Sequence, residues 1–172
     1  MGPRAFAGLC AYAAAACFVV GMATAVAVTP TAAFPPPPSL VVQTVAFTAW
    51  HLLLLPVVAA VDAPAWAKGS GYAWIAIDNV IGFWSYFGTG QDLVIPSRWG
   101  VHIAAATWIA GASMSARGAV RAVGMLAAGL LVLVSFAGPF VGQARAFQTL
   151  GAPSLAMIVW VWLVGRSLRS AH

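Results

Sequence analysis

Residues 40–61 read LVVQTVAFTAWHLLLLPVVAAV, without one Asp, Glu, Lys or Arg. About 20 apolar residues in a helix cross the roughly 30 Å hydrocarbon core of a bilayer, so this stretch is read as a membrane span. Its one ionisable group, His51, falls near the middle. Five more stretches approach the same length, at 5–28, 72–88, 99–116, 119–141 and 151–168. The span at 72–88 is the least regular, because Asp78 and Asn79 lie inside it. Tyr72, Trp74, Phe83, Trp84, Tyr86 and Phe87 nevertheless bracket it with aromatics of the kind found at membrane interfaces. The expected fold is an all-α membrane protein: six transmembrane helices in a compact antiparallel bundle, one polytopic domain over residues 1–172.

The composition agrees with that expectation. Of the 172 residues, 62% are hydrophobic and 6% charged, where an ordinary soluble domain carries about 25% charged residues. So few charges cannot cover a water-exposed surface, and so much apolar character excludes an intrinsically disordered chain. The net charge of +5 comes from Arg4, Lys68, Arg98, Arg117, Arg121, Arg145, Arg166 and Arg169. These are scattered, with no cluster of about 4–8 to mark an anionic-lipid or nucleic-acid patch, and no nucleic-acid partner is expected. Cys10 and Cys17 are seven residues apart, share one face of one helix and cannot bond to each other. There is no CxxC pair and no Cys/His set with zinc spacing, so no metal site is expected.

Charge also orients the spans. The first could be a secretory signal, but Ala5–Val28 is longer than the roughly 7–15 residues of a signal's apolar core, so it is read as a true span. Six spans then place both termini on one side. With the N-terminus inside, Arg4, Lys68, Arg117, Arg121, Arg166 and Arg169 are inside against Arg98 and Arg145 outside, the asymmetry of an N-in, C-in protein. Residues 29–39, with Pro30 and Pro35–Pro38, read as an extended polyproline connector. Ser115–Gly118 reads as a tight turn, and residues 89–98 as a polar outer segment. Trp66 and Trp99 are expected as anchors at opposite interfaces, and Pro56 and Pro139 as kinks. The Ala, Gly, Pro and Arg usage suits a GC-rich coding sequence, and the expected location is a bacterial cytoplasmic (inner) membrane.

An ionisable side chain inside a span is expensive unless it faces the bundle interior and has a partner. His51 and Asp78 lie at similar depth on consecutive antiparallel helices, so they are expected to pair, with Asn79 and Gln43 or Thr48 nearby. Arg121 is the competing partner for Asp78. A buried histidine beside a carboxylate can carry a proton or bind a cation, or can simply tie two helices together. His102 is the one candidate for a second haem ligand beside His51, but its spacing puts it about 12 Å out of level with His51 at 1.5 Å per residue. No cofactor is expected. Trp50, Trp108, Trp160 and Trp162 are candidates to line a quinone or pigment pocket, or else belong to core and belt. Phosphate loops, paired carboxylates and a GxSxG elbow are missing, so no catalytic residue is assigned and enzymatic chemistry is disfavoured.

The first functional reading is a small transporter-like or permeation-related protein built around His51, Asp78 and Asn79. An alternative is a non-catalytic accessory or scaffold subunit. It would form homo- or hetero-oligomers through Ala- and Gly-rich faces such as Ala7, Ala11 and Ala15, Gly21 and Ala25, or Gly138 and Gly142. A further alternative is a haem-, quinone- or pigment-binding redox protein.

Overall fold

The computed structural model describes residues 1–27, 38–86, 91–141 and 151–170. They form six helices: α1 Pro3–Ala27, α2 Pro38–Ala60, α3 Ala65–Tyr86, α4 Gln91–Met114, α5 Gly118–Val141 and α6 Gly151–Ser170. No strand occurs among the described residues. Each helix packs on the next in chain order, and α6 returns to α1, so the six close an antiparallel ring. One end of the ring gathers the start of α1, the ends of α2, α4 and α6, and the starts of α3 and α5; it is called the terminal face below.

Four helices, α1, α2, α5 and α6, are long and apolar enough to cross a membrane by length and composition. The other two carry their polar residues inside the helix, with Lys68, Ser70, Asp78 and Asn79 in α3 and Gln91, Asp92, Arg98 and His102 in α4. The surface is nonetheless apolar all round. Val80 is 64% exposed on α3, Leu133 66% and Phe136 65% on α5, and Leu155 64% on α6. Among the described residues the buried polar ones are His51, Ser113 and Ser135. A water-soluble helical domain distributes these classes the other way round.

Close approach between helices is set by small residues, because van der Waals packing replaces the hydrophobic drive inside lipid. A Cβ on Gly8 would meet the Gly165 carbonyl oxygen at 2.8 Å, and one on Gly165 would meet Ala11 Cβ and the Gly8 carbonyl oxygen at 3.0 Å. This contact between α1 and α6 closes the ring. Ala7, Ala11, Ala15 and Gly21 are all buried; Gly8, Ala11 and Gly165 serve this internal seam, and Gly21 lies against Phe47 of α2.

Several boundaries differ from the sequence expectation. α3 starts at Ala65 rather than near 72: its first turn is held by Ala67 and Lys68 N–H donating to the Pro64 carbonyl at 3.0 and 3.1 Å. The weak helix formers Gly69, Ser70 and Gly71 are retained because packing outweighs propensity. Gly71 lies against the Trp108 indole, and Ser70 Oγ donates to the Ala104 carbonyl at 3.1 Å. α4 starts at Gln91 rather than 99, so the polar outer segment is helical over 91–98. α2 begins at Pro38, a position where the missing N–H costs nothing. It also runs unbroken past Pro56. Gly118, at φ +57°, makes the turn between α4 and α5. The polyproline stretch up to residue 37, Gly142, Arg145 and His172 lie outside the described residues, as do the side chains of Arg98, Gly138 and Pro139.

Candidate functional site

The interior of the ring is built from side chains that 3.6-residue periodicity puts on one face of each helix. On α3 these are Gly71, Trp74, Asp78 and Ile81; on α2, Trp50, His51, Leu54 and Val57. His51 and Asp78 are each the fourteenth residue of their helices, just beyond mid-length. His51 Nε2 lies 3.0 Å from Asp78 Oδ2, and the two side chains are only 7% and 14% exposed. His51 Nδ1 lies 2.8 Å from the Phe47 carbonyl oxygen.

Those two contacts decide where hydrogens sit. A carbonyl oxygen only accepts, so Nδ1 carries the hydrogen and donates to Phe47. Nε2 then faces a carboxyl oxygen at hydrogen-bond distance, which requires one proton between them. Either an imidazolium donates to a carboxylate, or a carboxylic acid donates to a neutral imidazole. In both forms the pair holds one shared proton away from water. Polar contacts between membrane helices contribute about 0.6–2 kcal/mol, and charge-assisted ones belong at the upper end.

The remaining sequence candidates fall differently. Asn79 follows Asp78; its Nδ2 donates to the Ile75 carbonyl at 2.8 Å, while its Oδ1 is buried without a hydrogen-bond partner. Gln43 stands eight residues before His51 on α2, about 12 Å along the axis at 1.5 Å per residue. Thr48 is exposed. Arg121 is exposed on α5, which packs against α4 and α6, whereas Asp78 pairs with His51 of α2. His102 is the twelfth residue of α4 because that helix begins at Gln91. It is therefore near mid-length, and the expected 12 Å offset from His51 does not hold. What separates the two histidines is ring order: α3 stands between their helices, and both ring nitrogens of His51 are engaged. Among the described residues no group of three or more His, Cys, Asp or Glu gathers in a way that could hold a metal ion.

Tryptophans form the larger part of the interior. Trp50, Trp74, Trp108 and Trp160, from α2, α3, α4 and α6, are all fully buried. Their rings follow one another: Trp50 to Trp74 at 6.4 Å, Trp74 to Trp108 at 5.8 Å and nearly stacked, Trp108 to Trp160 at 5.2 Å and edge-on. His51 joins the row edge-on to Trp74 at 5.1 Å. Trp74 and Trp99 are both buried, each on the inward face of its helix, and do not face outward. Trp162 is half exposed, 6.2 Å from Tyr12, and does not belong to the row.

Three indole nitrogens of the row, Nε1 of Trp74, Trp108 and Trp160, are buried without a hydrogen-bond partner, and so is Ser113 Oγ. Each buried donor left unmatched costs about 1–3 kcal/mol. Other helix hydroxyls avoid this by donating to their own helix, as Thr107 does to the Ile103 carbonyl at 2.8 Å and Ser135 to the Leu131 carbonyl at 2.7 Å. Ser113 Oγ and Trp160 Nε1 both occupy the place where a side chain on Gly124 would begin. At the terminal face a cavity of about 170 Å³ opens into the ring, with Arg4, Asp62, Ser115 and Ser167 among its lining residues and Trp160 in its wall. A second hollow, an open apolar groove along α1 and α6 lined by Val19, Met22 and Leu155, faces outward. Sequence reasoning missed Trp74, Ser113, Gly124 and the cavity; the spacing Gly71, Trp74, Asp78 was the available signal for the first.

No protein-family model, no curated protein and no solved structure matches the chain.

Proposed function

We propose that the chain is a six-span protein of a bacterial cytoplasmic-type membrane, with both termini inside, and that it moves protons, alone or with a small solute. The His51–Asp78 pair is its proton-carrying element. The observation that carries this reading is the 3.0 Å contact at mid-depth, held by the Phe47 carbonyl so that one proton is shared. Ionisable groups at this depth in a membrane are expensive and are associated with proton relays.

Two arguments support counting α3 and α4 as spans. At 22 and 24 residues they measure about 33 and 36 Å at 1.5 Å per residue, and they complete a ring whose other members are apolar. Their outward residues are also apolar: Ile77, Val80 and Phe83 on α3 and Ile103 on α4 are exposed. Orientation is supported by charge, since Arg4, Lys68, Arg117, Arg121, Arg166 and Arg169 all belong to the helix ends that meet at the terminal face. The accessory-subunit alternative is weakened because Ala7, Ala11, Ala15 and Gly21 are buried among the chain's own helices.

Reconstitution into liposomes with a pH-sensitive dye inside tests the reading. Asp78→Asn keeps the size of the side chain and can still donate to Nε2, but it cannot hold the shared proton. A pH gradient should dissipate through the native protein and be retained by Asp78→Asn. Equal dissipation by both would remove the pair from the mechanism.

A further inference from the structure

The His51–Asp78 pair is enclosed, so a proton reaches it only along polar groups; Asn79 Oδ1, buried without a partner, lies just beyond the pair, and across the ring three indole nitrogens in the same state lead to the cavity. Towards the face opposite the termini, α1 and α2 bring Phe18, Phe47 and Trp50 together, with ring centroids 5.5 Å and 4.8 Å apart around Phe18. Apart from Asn79, that side presents aromatic carbon. Across the ring, Trp74, Trp108 and Trp160 follow one another from the pair to the wall of the cavity that opens at the terminal face, and all three present unmatched indole N–H groups. Ser113 Oγ, equally unmatched, lies against Gly124 as Trp160 Nε1 does.

An indole N–H only donates. It cannot relay a proton itself, but it holds in place a molecule that accepts. Buried water with two or more polar partners plays that role in protein interiors, and the cavity beside Trp160 admits it. We infer that water entering the cavity at the terminal face continues along the row Trp160, Trp108, Trp74, and that the His51–Asp78 pair exchanges its proton with that face by this row. The inference rests on the proton-carrying reading above. In the outward step the pair gives its shared proton to water on the row, forming hydronium and leaving a neutral imidazole beside a carboxylate; in the reverse step a hydronium arriving along the row restores that proton and remains as water. The charged groups on the helices packed about His51 are Arg4 of α1, at the mouth beside Asp62, and Lys68 of α3, whose Nζ donates to the Ala59 carbonyl at 2.8 Å. Neither stands between the cavity and the pair along the tryptophan row.

The experiment uses the full chain in lipid nanodiscs, with 15N-labelled tryptophan and assignment by single Trp→Phe substitutions. The expected result is exchange of the Trp74, Trp108 and Trp160 indole hydrogens with water within minutes, together with direct magnetisation transfer from water. Indole hydrogens of Trp74 or Trp108 that survive days in D2O would overturn the route, even if Trp160 alone is hydrated. In liposomes, Trp160→Phe should slow proton flux about tenfold. As a variant that leaves the row intact, Ser115→Cys in a Cys10→Ala, Cys17→Ala background should lose flux when a charged thiol reagent blocks the cavity, whereas Ser39→Cys at the other face should not. Unchanged flux after labelling of Ser115→Cys also overturns the route. A native protein that passes no protons defeats the proton-carrying reading instead, and the indole exchange still decides whether the row is wet.

Discussion

Gly124 and Gly129 stand on one helix five residues apart, and the ring predicts opposite signs for the same substitution at the two. At 129 a new methyl meets nothing within 4 Å, and the residue is exposed. Gly129→Ala therefore gains helix propensity, at most about 1 kcal/mol, at no packing cost. At 124 the methyl starts where Ser113 Oγ and Trp160 Nε1 already are, and it meets Trp160 Cδ1 at 2.7 Å. Trp160 cannot swing aside, since it is fully buried and packed edge-on to Trp108 at 5.2 Å. Overpacking of this kind costs about 1–3 kcal/mol, which exceeds the propensity gain, so Gly124→Ala is expected to lose about 1–2 kcal/mol net. Unfolding by SDS in mixed micelles, followed by tryptophan emission, measures both variants, and Trp160 itself reports on the Gly124 site. Equal stabilisation by the two substitutions would show that α5 does not press on Ser113 and Trp160 and would refute the packing on which the site rests.

A double-mutant cycle of His51→Ala and Asp78→Ala in the same unfolding assay should give a coupling of about 1–2 kcal/mol; a coupling near zero would show that the 3.0 Å contact stabilises nothing. Brominated lipid should quench Trp66, Trp84 and Trp162, which are exposed, and spare Trp50, Trp74, Trp108 and Trp160, which are buried; single-tryptophan variants read this directly. Gly165→Ile should open the seam of α1 and α6, because even one added carbon meets Ala11 and the Gly8 carbonyl at 3.0 Å. The expected loss is about 2 kcal/mol or more, together with faster proteolysis of the helix ends.

What the sequence disclosed followed from length and from charge. An uninterrupted apolar run such as 40–61 has one economical solution in a bilayer, because every backbone polar group must be satisfied within the segment, and α2 occupies Pro38–Ala60. The pairing of His51 with Asp78 was legible for the same reason: two costly groups on consecutive antiparallel helices have little else to meet. The starts of α3 and α4 were not legible. Glycines 69 and 71 and Ser70 signal a loop by local propensity, and they are helical because Gly71 receives the Trp108 ring and Ser70 bonds across to α4. The misplaced start of α4 in turn put His102 at the wrong depth. Trp74 was assigned to the interface because tryptophan commonly sits there, whereas its inward face on α3 was fixed by the four-residue step to Asp78.

The tryptophan row also bears on why the ring interior is aromatic. A ring of six helices encloses more space than a four-helix bundle, and Val or Leu would fill it only by drawing the backbones together. Small residues already bring certain helices to their limit, as at Gly8 with Gly165 and at Gly111 with Ala67. Large planar side chains fill what remains: each of the four tryptophans of the row comes from a different helix, and together they bridge α2, α3, α4 and α6. Phenylalanine would fill much of the same space without a polar atom. Three indole N–H groups that find no acceptor among the described residues would each lower stability, so a purely structural row should tolerate or even prefer phenylalanine at 74, 108 and 160. Trp108→Phe that raises stability while leaving proton flux intact would assign the row to packing. Trp108→Phe that holds or raises stability while flux falls would assign its nitrogens to transport.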